Sequence, residues 1–153
     1  LCKSLDYTDV VFHIYGAGAE QEKIVQFISK NPDLPIIYHG EVSRDTLHEV
    51  LLNYDITIIP LLNRIYGSVP SKIFEYARLG LPMLYFGGGE GEDIIRNHQL
   101  GWISESGNYS RLNATINNLS KDELGLKKRL AIQQVANKYF DFNCQLLKLT
   151  TRL

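Results

Sequence analysis

ITIIPLLNRIYGSVPSKIFEYARLGLPMLYF, residues 56–86, places two short apolar runs on either side of a loop and a helix. Ile56-Thr57-Ile58-Ile59 is β-branched throughout, which suits a pleated strand better than a helix. Pro70 and Ser71 open a helix, because proline's fixed φ and missing N–H cost nothing in a first turn. That helix runs to about Leu79 and is closed by Gly80 and Pro82. Leu81 to Phe86 forms the next apolar run. Neither run alternates with polar residues, so both faces of each strand are expected to be covered. Strands of that kind lie in parallel sheets, where the connection back is a helix.

Reading outward repeats the pattern. Upstream, Val10-Val11-Phe12-His13-Ile14-Tyr15 predicts a buried strand that stops at Gly16, and Gly18 to Lys30 a helix with Ile24, Phe27 and Ile28 on one face. Asn31-Pro32 ends that helix. Residues 34–38 form a second strand, broken at Gly40, and Ser43 caps a helix that turns Leu47, Val50, Leu51 and Tyr54 to one side. Downstream come a Gly87-Gly88-Gly89 loop, a short helix over 92–97 and a short strand, Gly101-Trp102-Ile103-Ser104. From Tyr109 the pattern is helical, with Ala131, Val135 and Tyr139 four apart and Leu146, Leu149 and Leu153 as a last apolar stripe. The fold class is α/β: a Rossmann-like open parallel sheet with helices on both faces.

Composition bounds the function. The 153 residues suit one domain at ~100–200 residues each. Apolar residues are 44% and charged residues 22% of the chain, an ordinary globular balance that argues against disorder. No apolar run reaches the ~20 residues of a membrane-spanning helix. A net charge of −1 lacks the basic excess of a nucleic-acid binder. Residues 1–60 carry 4 basic and 9 acidic groups, whereas residues 100–153 carry 8 and 4, including Lys127, Lys128 and Arg129 on a helix. Those three read first as a solvated face and second as a surface for anionic lipid or a partner. Cys2 and Cys144 have no metal-ligand spacing and fit a reduced, cytosolic protein. The start, Leu1-Cys2-Lys3, lacks a methionine, as expected of a piece of a longer chain.

Ligands of open parallel sheets bind beyond the carboxyl ends of the strands, which directs attention to the turns there. Gly16-Ala17-Gly18 allows a tight turn and the approach of a phosphate to backbone N–H groups, but is equally a plain strand-to-helix turn. The third small residue of a dinucleotide fingerprint is replaced by Gln21. The stretch Tyr66 to Ala77 says more. A helix start following a glycine-bearing loop offers free N–H groups and the positive end of a dipole. Lys72 stands in the first turn, where acids are normally favoured, and so hints at an anion. Glu75, one turn deeper, could accept hydrogen bonds from a vicinal diol such as a ribose. The plainer alternative is an i,i+3 Lys72–Glu75 ion pair on a solvated helix.

The succession VFHIYGAGAEQEKI, IIYHGEVSRDTLHEVLLNYDITIIPL, YGSVPSKIFEYARLGLPMLYFGGGEGEDII and LGWI resembles the C-terminal, donor-binding domain of family-4 retaining glycosyltransferases of the GT-B fold, bacterial surface-polysaccharide type, over residues 8–140. Its most specific part is Val69-Pro70-Ser71-Lys72 through Gly80-Leu81-Pro82. The resemblance implies that Glu75 binds the donor's ribose hydroxyls, and that Lys72 with the N–H groups of Val69 and Ser71 faces the diphosphate. Gly16 and Gly18 match the glycine turn lining the donor cleft. Gly40 and Val42, in the His39–Val42 loop, border the base through backbone groups, and Gly87 to Gly91 shape the cleft floor. Two departures stand out. A first glutamate, near the donor sugar in the family pattern, is here Gly67. The family's opening strand, glycine loop and basic residue are not in this chain, and neither is its acceptor domain.

The implied donor is a UDP-sugar, with a GDP-sugar second, and no other cofactor. The implied partners are the N-terminal acceptor domain of the same protein and a glycan or lipid-linked acceptor, in the cytoplasm at the inner face of the membrane. Lys72 would stabilise the leaving diphosphate with retention at the sugar and without metal, consistent with the lack of an Asp-x-Asp pair. The isolated domain is expected to be inactive. An NAD(P)-binding oxidoreductase domain, supported by the Gly16–Gly18 turn and Glu41, and a non-catalytic module of the same fold are the alternatives.

Overall fold

The computed structural model describes residues 10–61, 63 and 67–141, in two compact units, Leu1–Val50 and Leu51–Leu153. Cys2, Cys144, the Leu146–Leu153 stripe and Tyr66 lie outside the described residues.

In the first unit, β1 (Phe12–Tyr15), α1 (Gln21–Ser29), β2 (Ile36–Gly40) and α2 (Arg44–Leu51) follow in order. β1 and β2 pair in parallel, with Phe12 beside Ile36 and Ile14 beside Tyr38. Ser43 caps α2 as expected: its Oγ accepts the Thr46 N–H at 3.2 Å and lies 2.8 Å from Thr46 Oγ1. The expectation of a buried first strand is corrected. Every residue of β1 is only half-buried, α1 buries none, and Val11, Val25, Phe27 and Ile37 are exposed.

The second unit holds the core. β3 (Thr57–Pro60), α3 (Lys72–Arg78), β4 (Met83–Phe86), α4 (Glu90–Asn97) and β5 (Gly101–Ser104) form a parallel sheet in the order β3-β4-β5. Successive α5 (Tyr109–Asn117), α6 (Lys121–Leu124), α7 (Leu126–Val135) and a π-helical turn, Ala136–Phe140, complete it. All four residues of β4 are buried, so both sheet faces are covered at its centre. That is what the unbroken apolar run required. Close packing is legible at two glycines. A Cβ on Gly101 would lie 1.8 Å from the Met83 carbonyl oxygen, and one on Gly80 2.7 Å from that of Arg129, where α3 meets α7.

The stretch from Tyr109 is helical as expected, and within it Ile132 and Ala136 are buried while Ala131 and Tyr139 are exposed. The approach of α7 to Gly80 selects the face, and the π-helical turn adds a residue to its period. The strands are parallel within each unit, two in the first and three in the second, in keeping with the α/β fold class expected.

Candidate functional site

The start of α3 is built by its lead-in. Gly67 has φ +69°, and Pro70 and Ser71 bring the chain into the helix. The first turn closes through Ile73 N–H to the Pro70 carbonyl (3.1 Å) and Glu75 N–H to that of Ser71 (3.2 Å). Ile73, Tyr76 and Ala77 are buried and anchor the helix against the unit's core. The N–H groups of Val69, Ser71 and Lys72 have no partner among the described residues, as the geometry of a helix start dictates.

Lys72 and Glu75 come together as an i,i+3 pair, Nζ to Oε2 3.8 Å, with side chains 52% and 17% exposed. The Lys72 ammonium also lies 5.6 Å from the centre of the Tyr76 ring. Burial, and then the charge of Glu75, push the Tyr76 phenol above its ordinary value, so it stays neutral at pH 7. The plain ion pair is thus present, but at the outer limit of contact and half-exposed, a geometry worth little to stability. What the turn offers chemically is a cluster of amide donors, one half-exposed cation and one largely sheltered carboxylate. Such a set can take an anion and a hydroxyl pair side by side.

The next turn, between β4 and α4, is firmly packed. Tyr85 Oη donates to the Gly88 carbonyl at 3.1 Å, and a Cβ on Gly91 would lie 2.5 Å from that same Oη. The helix expected over 92–97 starts at Glu90, and this first residue of α4 turns its carboxylate to the β3–α3 loop. Its Oε1 accepts the Gly67 N–H at 3.0 Å. This bond spans 23 residues and had no signal in the sequence. A cleft of about 590 Å³ lies beside this turn, lined by Gly87, Gly88, Glu92, Arg96 and Arg111 among others. Arg96 is held there by Glu92, and its other nitrogen lies 3.8 Å from Asp93.

In the first unit, Gly16, Gly18, Gly40 and Val42 sit in the turns at the carboxyl ends of β1 and β2. Gly16 is committed at its backbone: its N–H donates to the Gly40 carbonyl (2.7 Å) and its carbonyl accepts from Tyr38 Oη (2.6 Å). What Gly16, Gly18 and Gly40 offer a ligand is space, since nothing lies within 4 Å of where a Cβ would stand. His39 is engaged at the strand end. Its ring stacks on Tyr15 with centroids 4.3 Å apart, and its Nε2 lies 2.9 Å from His13 Nδ1.

Residues 1–139 match the family described as glycosyl transferases group 1. The chain belongs to the group 1 glycosyl transferases. Among solved structures it is similar to TarM, with a TM-score of 0.70 and 18% identity over 94% of this chain and 28% of that one. It is also similar to the apo form of the lipopolysaccharide outer core galactosyltransferase WaaB, with a TM-score of 0.69 and 16% identity over 94% of this chain and 41% of that one. At these identities the likeness is one of fold, the α/β Rossmann-like fold with parallel strands and covering helices. No curated protein matches. Membership of the group 1 glycosyl transferases disfavours the dinucleotide-binding reading, which already lacked its third glycine.

The basic run of this glycosyl transferase chain has local duties. Lys128 Nζ donates to the Gln99 carbonyl at 2.8 Å, and the Arg129 guanidinium to the carbonyls of Tyr54 and Leu52 at 3.2 Å each. Two of the three charges therefore satisfy carbonyls just past the ends of α4 and α2. Among the described residues no helix is long and apolar enough to cross a membrane.

Proposed function

We propose that this chain binds a nucleoside diphosphate sugar, UDP favoured over GDP, for transfer of the sugar to a glycan or lipid-linked acceptor. The start of α3 carries the reading. In a group 1 glycosyl transferase chain, it gathers the N–H groups of Val69, Ser71 and Lys72, unpartnered among the described residues, with the Lys72 ammonium and the sheltered Glu75. Glu75 accepts the ribose hydroxyls, and Lys72 with the amide groups takes the diphosphate. Gly16, Gly18, Gly40 and Val42 are donor-contacting positions of the first unit, tested separately by substitution.

Breaking the bond from the anomeric carbon to the β-phosphate oxygen moves negative charge onto the leaving diphosphate. Fixed donors aimed at that oxygen lower the barrier. Lys72 and the helix start supply such charge without a divalent ion, and transfer proceeds with retention. The chain spans 28% and 41% of the lengths of the two similar structures, and the acceptor is held by an N-terminal domain of the same protein. The place of work is the cytoplasm, at the inner membrane face where a lipid-linked acceptor is presented. The name of WaaB, a lipopolysaccharide outer core galactosyltransferase, is in keeping with a surface-polysaccharide acceptor.

Calorimetric titration of the intact protein with UDP, GDP and NAD tests the donor class. UDP or GDP binding supports it; NAD binding, or silence with all three, rejects it. In the same protein Lys72→Ala lowers kcat/KM by about tenfold or more, the scale expected for removing a donor to a developing oxyanion. Unchanged turnover and donor affinity in that variant rule out the role given to Lys72.

A further inference from the structure

The bond between Gly67 and Glu90 joins two turns that the chain separates widely. Gly67 belongs to the β3–α3 loop and Glu90 to the β4–α4 turn, at the carboxyl ends of neighbouring strands. The two turns differ in how they are held. The β4–α4 turn is fastened from beneath by Tyr85 Oη on the Gly88 carbonyl, by the absence of room at Gly91, and by Gly87 N–H on the Ser104 carbonyl at 3.2 Å. Gly67, by contrast, is exposed, has left-handed backbone geometry, and has nothing within 4 Å of where a Cβ would stand. A glycine in such surroundings loses much entropy on being fixed and has no side chain to pack. Its backbone N–H is the handle by which it is held, and a carboxylate is a strong acceptor for it.

We propose that Glu90 is a positioning residue of the donor site: its carboxylate tethers Gly67, and so holds the lead-in to α3 in the form that presents the Val69 and Ser71 N–H groups. This rests on the reading of residues 69–75 as the diphosphate and ribose site. Glu90 acts through the loop, and the acceptor oxygen matters more than the negative charge. The two features separate cleanly, because glutamine keeps the oxygen and loses the charge.

In the intact protein, Glu90→Ala raises the donor KM, and the Kd for free UDP or GDP, by about tenfold, the loss of one charge-assisted hydrogen bond. The kcat falls as well, because the Val69 and Ser71 N–H groups that the tether presents are those that stabilise the leaving diphosphate, whereas the Kd for free UDP or GDP reports the binding part alone. Glu90→Gln recovers all but about threefold of the KM. Amide exchange at Gly67, which needs no donor, quickens in Glu90→Ala and returns toward the wild-type rate in Glu90→Gln. A Glu90→Gln variant as impaired as Glu90→Ala overturns the proposal, as does wild-type donor KM in a folded Glu90→Ala. Lys72→Ala distinguishes the two levels. If it leaves donor affinity unchanged, the site reading fails and the positioning role with it, while Gly67 exchange still reports whether the tether exists. If Lys72→Ala weakens donor binding and Glu90→Ala does not, Glu90 alone is wrong.

Discussion

The glycines of this chain divide by what a side chain would meet. At Gly80, Gly91 and Gly101 a Cβ would strike atoms 2.7, 2.5 and 1.8 Å away, whereas at Gly16, Gly18, Gly40 and Gly67 it would meet nothing within 4 Å. The first group is demanded by packing and the second lies in turns at the carboxyl ends of strands. Gly91→Ala is therefore expected to destabilise the second unit by ~1–3 kcal/mol, the usual cost of overfilling a packed place. A Tyr85→Phe change in the same chain recovers only part of this, because it removes the hydroxyl at 2.5 Å but leaves Cζ and Cε2 at 2.9 and 3.1 Å from the new methyl. A denaturant midpoint unchanged by Gly91→Ala disproves the packing account. None of this division is visible in the letters: Gly16-Ala17-Gly18 and Gly87-Gly88-Gly89 look alike as loops. Lys72 is the opposite case. Its unfavourable place in a first turn can be seen in sequence alone, because the dipole rule is local.

At the level of elements, periodicity and turn chemistry located every strand and most helices, because both are set within a few residues. Ser43 caps α2, Pro70 leads into α3 and Gly101–Ser104 is a strand, as read. The burial of β1 and the inner face of α7 were not legible, since they depend on what packs against them. The β1–β2 pair carries a pH prediction. Burial, and then the neighbouring His39, hold the His13 imidazole below its ordinary value of 6.5. The folded chain thus binds fewer protons than the unfolded chain between the lowered value and 6.5. By linkage, stability rises with pH through that window, is complete above 6.5 and declines as His13 is protonated. Denaturation series from about pH 5 to pH 7.5 in wild type and His13→Gln check this. An equal slope in both chains removes His13 as its source.

On the scale of the whole molecule, the first 60 residues are acidic and the last 54 basic, and the run Lys127–Arg129, read first as a solvated face and second as a surface for anionic lipid or a partner, turns Lys128 and Arg129 to backbone carbonyls. The proposed chemistry instead concentrates its positive charge at one helix start. Removal of divalent ions is therefore expected to leave turnover of the intact enzyme within about twofold, because amide donors and an ammonium stabilise the leaving group. Activity abolished by EDTA and restored by Mn²⁺ would reject that. The sequence by itself determined the class of fold, the family and the candidate residues Lys72 and Glu75, since unbroken apolar runs, helix punctuation and an i,i+3 pair are properties of neighbours along the chain. Only the tertiary structure decided that Glu90 reaches Gly67, that Ile132 and Ala136 rather than Ala131 and Tyr139 face inward, and which glycines have no room. The Glu90–Gly67 bond joins residues 23 apart and forms because β3 and β4 lie side by side in parallel and bring their carboxyl-end turns together, and the rest follows from which helix or strand packs against which.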